Sequence, residues 1–273
     1  MALIENLLLV FIAGLITDLA TGLGVVPFFF VKEFSKKRLV ILWGLASGIM
    51  LSASFLGLIP EGLSAAQEYP LYGSDYFAVG LGLLTGILLV IGAQRLIDEV
   101  ELDPGTFEEA DFKKMVLILG ILTVHSFPEG IAIGVSFAEL GLGTAGIVGL
   151  GIPAIAITMT IAISIHNIPE GVAIAIPFKA NGVSNWKTVG AAVFSSAPQP
   201  IGAVIAYYFV TQARTVLPIG YGFAAGAMIY LVLTEFVEEA FEEAEELESS
   251  GWREFILGNL AGLIIMILLF AFI

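Results

Sequence analysis

The sequence of 273 residues contains no cysteine, so it forms no disulfide bond and offers no thiolate ligand to a metal. Charged residues are also scarce: they make up 13% of the chain, about half of their share in a soluble domain. A mean hydropathy of +0.97 excludes an ordinary water-soluble enzyme and a disordered chain. The chain has only 11 basic residues but 25 acidic ones, and this excess of negative charge excludes nucleic-acid binding through a basic face.

Apolar residues are abundant instead, at 58% of the chain, and they occur in long runs. A helix needs roughly 20 such residues to cross the hydrocarbon core of a bilayer. The alternation typical of membrane β-strands is missing. We therefore predict an all-α polytopic membrane protein that forms a single transmembrane transporter domain. Its eight transmembrane helices are expected near residues 5–30, 39–61, 77–97, 115–137, 147–178, 187–210, 215–237 and 253–273.

The basic residues predict how the chain is oriented. All of them except Arg214 fall on one side of the predicted membrane, which the positive-inside rule makes cytoplasmic. An even number of spans then places both termini outside the plasma membrane. Acidic residues cluster on the cytoplasmic side, within 98–111 and 238–248. We interpret these clusters as solvated segments, the second a helical extension, rather than as a surface that collects cations.

Both histidines of the chain lie in two copies of one motif, HxxPEG, which begin at His125 and His166. In each copy the histidine and the glutamate, Glu129 or Glu170, are four residues apart and share one helix face. The proline removes a backbone hydrogen bond and predicts a kink. The glycine lets another backbone come close.

Brought together, the two copies offer two imidazoles and two carboxylates near the middle of the membrane. Two carboxylates balance one divalent cation. Imidazole and carboxylate ligands suit zinc, iron(II), manganese or cobalt, whereas calcium and magnesium prefer oxygen alone. A structural hydrogen bond between His and Glu is the alternative for one copy, but two matched copies favour a metal or proton site.

The residues after the histidines, Ser126 and Asn167, contribute further polar groups to this site. Gln199 lies between Pro198 and Pro200 and predicts a broken helix in the sixth span. Its side chain either caps the break or supplies an amide oxygen to the metal.

Four other residues are weaker candidates for the transport path. Asp18 either bonds a neighbouring helix or helps metal to enter, and Glu235 lies deep enough in the seventh span to line the path. Glu61 is interpreted as an exposed acid at the membrane interface that helps to attract cations. Met50 is interpreted as a packing residue rather than as a thioether ligand.

A second repeat joins the second and seventh spans, which run in opposite directions. Gly44, Ala46, Gly48 and Met50 match Gly222, Ala224, Gly226 and Met228. We predict a 3+2+3 bundle with inverted halves, an arrangement typical of transporters with a site at the bilayer midplane.

The doubled motif resembles that of the ZIP (Zrt/Irt-like) divalent metal transporters, in particular the short prokaryotic GufA-like branch. GLASGIMLSASFLGLIPEG and GFAAGAMIYLVLTE resemble the second and seventh spans of that family, so the resemblance covers essentially the whole chain. It implies a transporter, not an enzyme, that moves zinc or a related divalent ion toward the cytoplasm by an elevator-like movement. Iron, manganese, cobalt and cadmium are the other candidate ions.

The resemblance also implies roles for the site residues. The main metal site would consist of His125, Glu129, His166 and Glu170, and a second site would involve Ser126, Asn167 and Gln199. Ser126 replaces the usual Asn, and Gln199 stands where many members have Glu. Both departures weaken the second site, so we expect its metal to bind weakly or not at all.

The expected partners are the lipid bilayer and the transported ion, which is a substrate and not a cofactor. Glu61, Glu68 and Asp75 are expected to attract the ion outside. The glycine-rich spans pack either within one chain or between two chains of a homodimer. Two other functions stay open at this point: a membrane-embedded metal-dependent hydrolase and a proton-coupled carrier of an organic solute.

Overall fold

The computed structural model describes residues 2–31, 35–70, 74–98, 109–140, 151–245, 247 and 250–273. These residues are almost entirely helical. The helices are α1 Ala2–Leu23, α2 Lys36–Ser52, α3 Ile59–Glu68, α4 Asp75–Asp98, α5 Glu109–Ser136, α6 Ala154–Ala180, α7 Asn185–Ser196, α8 Pro198–Gln212, α9 Leu217–Leu231, α10 Val237–Ala244 and α11 Trp252–Phe272.

The described residues contain seven helical segments that are long and apolar enough to cross a membrane. The polytopic helical prediction is therefore confirmed. The remaining predicted span coincides with α5, which has 28 residues, and the count of eight stays a prediction. Residues 147–150 of the predicted fifth span, and 99–108 of the first acidic cluster, lie outside the described residues.

The second and seventh spans are longer than predicted and share one irregularity. α2 continues into α3 through a π-helical segment, Ala53–Leu58, and α9 continues into α10 through another, Val232–Phe236. Because a π-helical turn inserts an extra residue, it rotates the helix that follows. The helical extension predicted for the second acidic cluster is confirmed by α10.

Glycines let these two spans pack closely on their neighbours. A Cβ on Gly44 or Gly48 of α2 would collide with the α11 backbone, at Phe255 and Asn259. A Cβ on Gly222 of α9 would collide in the same way with the α4 backbone. The pairs α2–α11 and α4–α9 therefore repeat one packing mode, as the inverted repeat predicts, although the repeat itself remains a prediction.

α1, α7 and α8 pack around α5 and α6, with α1 on α6 and α8 on α5. The motif glycines make these contacts possible, because Gly130 lies against the carbonyl of Gln199, and Gly171 against that of Thr21. The close backbone approach expected after each HxxPE is therefore present. Both α5 and α6 remain helical through the motif prolines. The sixth span is broken as predicted, since α7 ends at Ser196 and α8 begins at Pro198.

Candidate metal centre

α5 and α6 bring together three of the four residues predicted for the main site. Ligand atoms of Glu129, His166 and Glu170 all lie within 4.8 Å of one another. His166 Nε2 is 3.3 Å from Glu129 Oε1. All three side chains are fully buried. The Pro-Glu-Gly turn of each motif thus places its carboxylate where the two helices cross.

Much of this group's hydrogen-bonding capacity is unused. Among the described residues, neither oxygen of Glu170 has a partner, and neither does His166 Nδ1. A buried polar group without a partner costs about 1–3 kcal/mol, and more when it is charged. Two neighbouring carboxylates add mutual repulsion. A divalent cation would remove both penalties, and one imidazole with two carboxylates is a donor set that suits zinc.

Gln199 and Asn167 form a polar layer beside the group. Gln199 Nε2 donates to Glu129 Oε2, and Asn167 Nδ2 donates to Gln199 Oε1 at 3.1 Å and to the carbonyl of Thr17 at 2.8 Å. Gln199 therefore bonds across helices and does not cap the break, since α8 has no side-chain cap. Asn167 Oδ1 has no partner among the described residues, whereas the Ser126 hydroxyl donates to the Leu122 carbonyl.

His125 does not belong to the three-residue group. It is 1% exposed, and neither ring nitrogen has a partner among the described residues. It lines a cavity of about 230 Å³ together with Trp43, Glu235, Glu239 and Glu243. The imidazole thus lies between the buried carboxylates and an acidic cavity.

The weaker candidates fall in different places. Glu235 lines the cavity and accepts a hydrogen bond from Gln94 Nε2 at 2.5 Å. Met50 is fully buried in the apolar core, and Glu61 is exposed, as expected. Asp18 is buried, with 4% exposure, and Oδ1 has no partner among the described residues, so a bond from this atom to a neighbouring helix is not seen.

Two acidic residues of the cavity had no individual role in the sequence analysis. Glu239 and Glu243 belong to the acidic cluster after the seventh span, and they lie four and eight residues after Glu235. That spacing places all three on one helix face, a signal that could have identified them. The contact of Asn167 with the Thr17 carbonyl had no signal in the sequence, because it depends on how α1 packs on α6.

Comparisons with known proteins agree on one family. A family model described as ZIP zinc transporter matches residues 103–270. A candidate zinc transporter of Arabidopsis thaliana is 39% identical over 226 residues, which are 82% of this chain and 33% of that protein. Zinc transporter ZIPB of Bordetella bronchiseptica is 32% identical over 253 residues, 92% of this chain and 76% of the relative. Zinc transporter GufA of Myxococcus xanthus is 27% identical, with coverage of 88% and 91%.

Proposed function

We propose that this chain, which belongs to the family of ZIP zinc transporters, carries zinc toward the cytoplasm through the buried group of Glu129, His166 and Glu170. Family membership makes the chain a multi-pass membrane transporter of divalent metal ions and not an enzyme. Family membership therefore excludes the hydrolase, and it argues against a carrier of an organic solute. Zinc is the first choice of ion because it is named for the bacterial relatives.

The observation that carries the proposal is a buried pair of carboxylates beside an imidazole, in which Glu170 has no hydrogen-bond partner among the described residues. Such a group is costly inside a membrane-spanning bundle unless a cation neutralises it. A transported ion must also leave, so its site cannot be a closed structural cage. A group of three protein ligands meets both requirements, because it leaves a coordination position for water or for His125.

The acidic cavity supports release toward the cytoplasm. The cavity is lined by buried His125, by Asn181 just after the end of α6, and by Glu239 and Glu243. Glu243 is 3.9 Å from Lys36, one of the basic residues that place this end of the bundle at the cytoplasm. With this orientation both termini lie outside.

Entry from the opposite side is supported by Glu61, which is exposed near that end of the bundle. Glu68 is exposed on the same helix, and the Asp75 side chain lies outside what the structure describes. Close by, Arg214 donates to the carbonyl of Ala138 and ties the link before α9 to the end of α5.

The second metal is proposed to bind weakly. Gln199 brings an amide N–H, not a charge, to Glu129, and the Ser126 hydroxyl is directed at its own helix. A homodimer also remains a proposal. Gly44, Gly48 and Gly222 are used in packing within the chain, whereas Gly80 and Gly92 of α4 face open space and offer a surface to a second copy.

Zinc uptake into proteoliposomes tests the function. His166→Ala removes one ligand and is expected to reduce the initial rate at least about tenfold, because losing even a residue that only orients a ligand costs about 10–100-fold in affinity or activity. Ser164→Ala is the matched control, since this hydroxyl, on the same helix, donates to the Thr160 carbonyl. Uptake by His166→Ala at the rate of the control would refute the assigned site. No uptake by the unaltered chain would refute the function.

A further inference from the structure

Outside the metal site, two acids of the described residues are buried: Glu254, which lies 3.4 Å from Lys37, and Asp18. Asp18 of α1 is 4% exposed, and its Oδ1 has no hydrogen-bond partner among the described residues. A carboxylate in a membrane-spanning helix is rare because its charge must be balanced, and acids in this position mark ion pathways. Oδ1 of Asp18 is therefore available to a positive ligand.

The packing of α1 places Asp18 opposite the break in the sixth span. One turn before it, a Cβ on Gly14 would lie 2.6 Å from Pro200 Cα. One turn after it, a Cβ on Gly22 would lie 2.9 Å from Val193 Cγ2. Residues four apart share a helix face, so Asp18 faces the segment between these two contacts, where α7 ends and α8 begins.

That break is rich in oxygen atoms. Pro198 and Pro200 have no N–H, so neither can bond the carbonyl four residues before it, at Phe194 and Ser196. Phe194 keeps one long contact, from Ala197 N at 3.3 Å. One turn from Asp18, Thr21 Oγ1 lies 2.6 Å from Ser196 Oγ.

From this geometry we infer that Asp18, the Thr21 and Ser196 hydroxyls and the carbonyls at the α7–α8 break form a site for Na⁺. All the candidate ligands are oxygen atoms, which hard cations prefer over the imidazole-containing set chosen by zinc. One carboxylate balances one positive charge, so the site suits a monovalent ion. The backbone of Ala197 stays helical at this junction, so the ligands offered are the carbonyls at the C-terminal end of α7. Half-helix C-terminal ends coordinate Na⁺ in secondary transporters.

Three residues connect the Na⁺ site to the metal group. Thr17, adjacent to Asp18, accepts a hydrogen bond from Asn167 through its carbonyl. Asn167 in turn donates to Gln199. Gln199 lies just after the break and donates to Glu129. An ion that fixes the break would therefore fix Gln199 and Glu129. By thermodynamic linkage, zinc and Na⁺ would raise each other's affinity. This coupling rests on the proposed function, whereas the Na⁺ site itself does not.

Binding is tested first, without transport. The melting temperature of the purified chain is measured as NaCl replaces choline chloride at constant ionic strength. Each tenfold rise in Na⁺ above its dissociation constant is expected to raise the melting temperature by about 3–6 °C. Asp18→Asn should abolish the rise, and Glu5→Gln, an exposed acid on the same helix, should keep it. A melting temperature that is independent of Na⁺ in the unaltered chain would overturn the inference.

A second variant and a transport experiment separate the Na⁺ site from the proposed function. If Asp18→Asn does not fold, Thr21→Val is tested in its place. The Na⁺ concentration that gives half of the stabilisation should then rise about tenfold, as expected for one lost bond to a charged group. An unchanged concentration would count against the site. In proteoliposomes, an inward Na⁺ gradient should speed zinc uptake by the unaltered chain and not by Asp18→Asn. Zinc uptake that responds to pH but not to Na⁺ would overturn the coupling between Na⁺ and zinc and leave the proposed function intact. A melting temperature that rises with Na⁺, in a chain that takes up no zinc, would support the Na⁺ site and refute the proposed function.

Discussion

Replacing Gln199 with glutamate adds the charge that the second metal position lacks. In the structure Gln199 Nε2 donates to Glu129 Oε2, while Oε1 accepts from Asn167 Nδ2 at 3.1 Å. A glutamate keeps the acceptor and loses the donor. It therefore removes one hydrogen bond to a charged group, about 1.5–3 kcal/mol, and sets a third carboxylate beside Glu129 and Glu170.

Without metal, Gln199→Glu should lower the melting temperature by about 2–4 °C for each kcal/mol lost. With zinc at about 100 times its dissociation constant, binding returns about 2.7 kcal/mol for the added site. The loss and the gain are of the same size. The variant should therefore be unstable only when metal-free, and its stability with zinc should match that of the unaltered chain.

The assay is zinc stoichiometry by titration of the purified protein, with thermal melting in the same samples. The unaltered chain should bind one zinc tightly, and Gln199→Glu should bind two. Gln212→Glu, the same change at an exposed position of α8, controls for added surface charge and should still bind one. Two equally tight ions in the unaltered chain, or one in the variant, would refute the reasoning about Gln199.

Three more substitutions follow from the packing and from the cavity. Gly171→Ala places a methyl group against the α1 backbone and should lower the free energy of unfolding, measured by thermal melting, by about 1–3 kcal/mol. Gly190→Ala faces open space and should not lower it. Equal melting of the two variants would contradict the close packing. Met50→Leu should cost less than about 1.5 kcal/mol and leave zinc affinity unchanged, so a large loss of affinity would reveal a thioether ligand. Glu235→Gln keeps an acceptor for Gln94 but removes the charge, so zinc uptake should slow. An unaltered rate would place Glu235 off the path.

The sequence is most informative where one pattern decides one local structure. Long apolar runs identify the membrane helices, and the two prolines around Gln199 identify the broken sixth span. The paired HxxPEG motifs identify the buried carboxylates, since helical spacing alone puts His and Glu of each copy on one face.

What the sequence cannot supply depends on how helices rotate against one another. Helical spacing relates His125 to Glu129, but it does not show that His125 faces an acidic cavity while His166 faces Glu129. The π-helical segments after Met50 and Leu231 have no signature in composition, and they change which face follows them. The sequence leaves two roles open for Asp18, and only the packing of Gly14 and Gly22 locates it at the break.

The central claim is that the transported ion binds to Glu129, His166 and Glu170. Anomalous X-ray scattering at the zinc edge, on crystals grown with zinc, tests this claim most directly. We predict a strong peak about 2.0–2.2 Å from a carboxylate oxygen of each glutamate and from one nitrogen of His166. A zinc peak only at the exposed acids, with no density between these three side chains, would contradict the account.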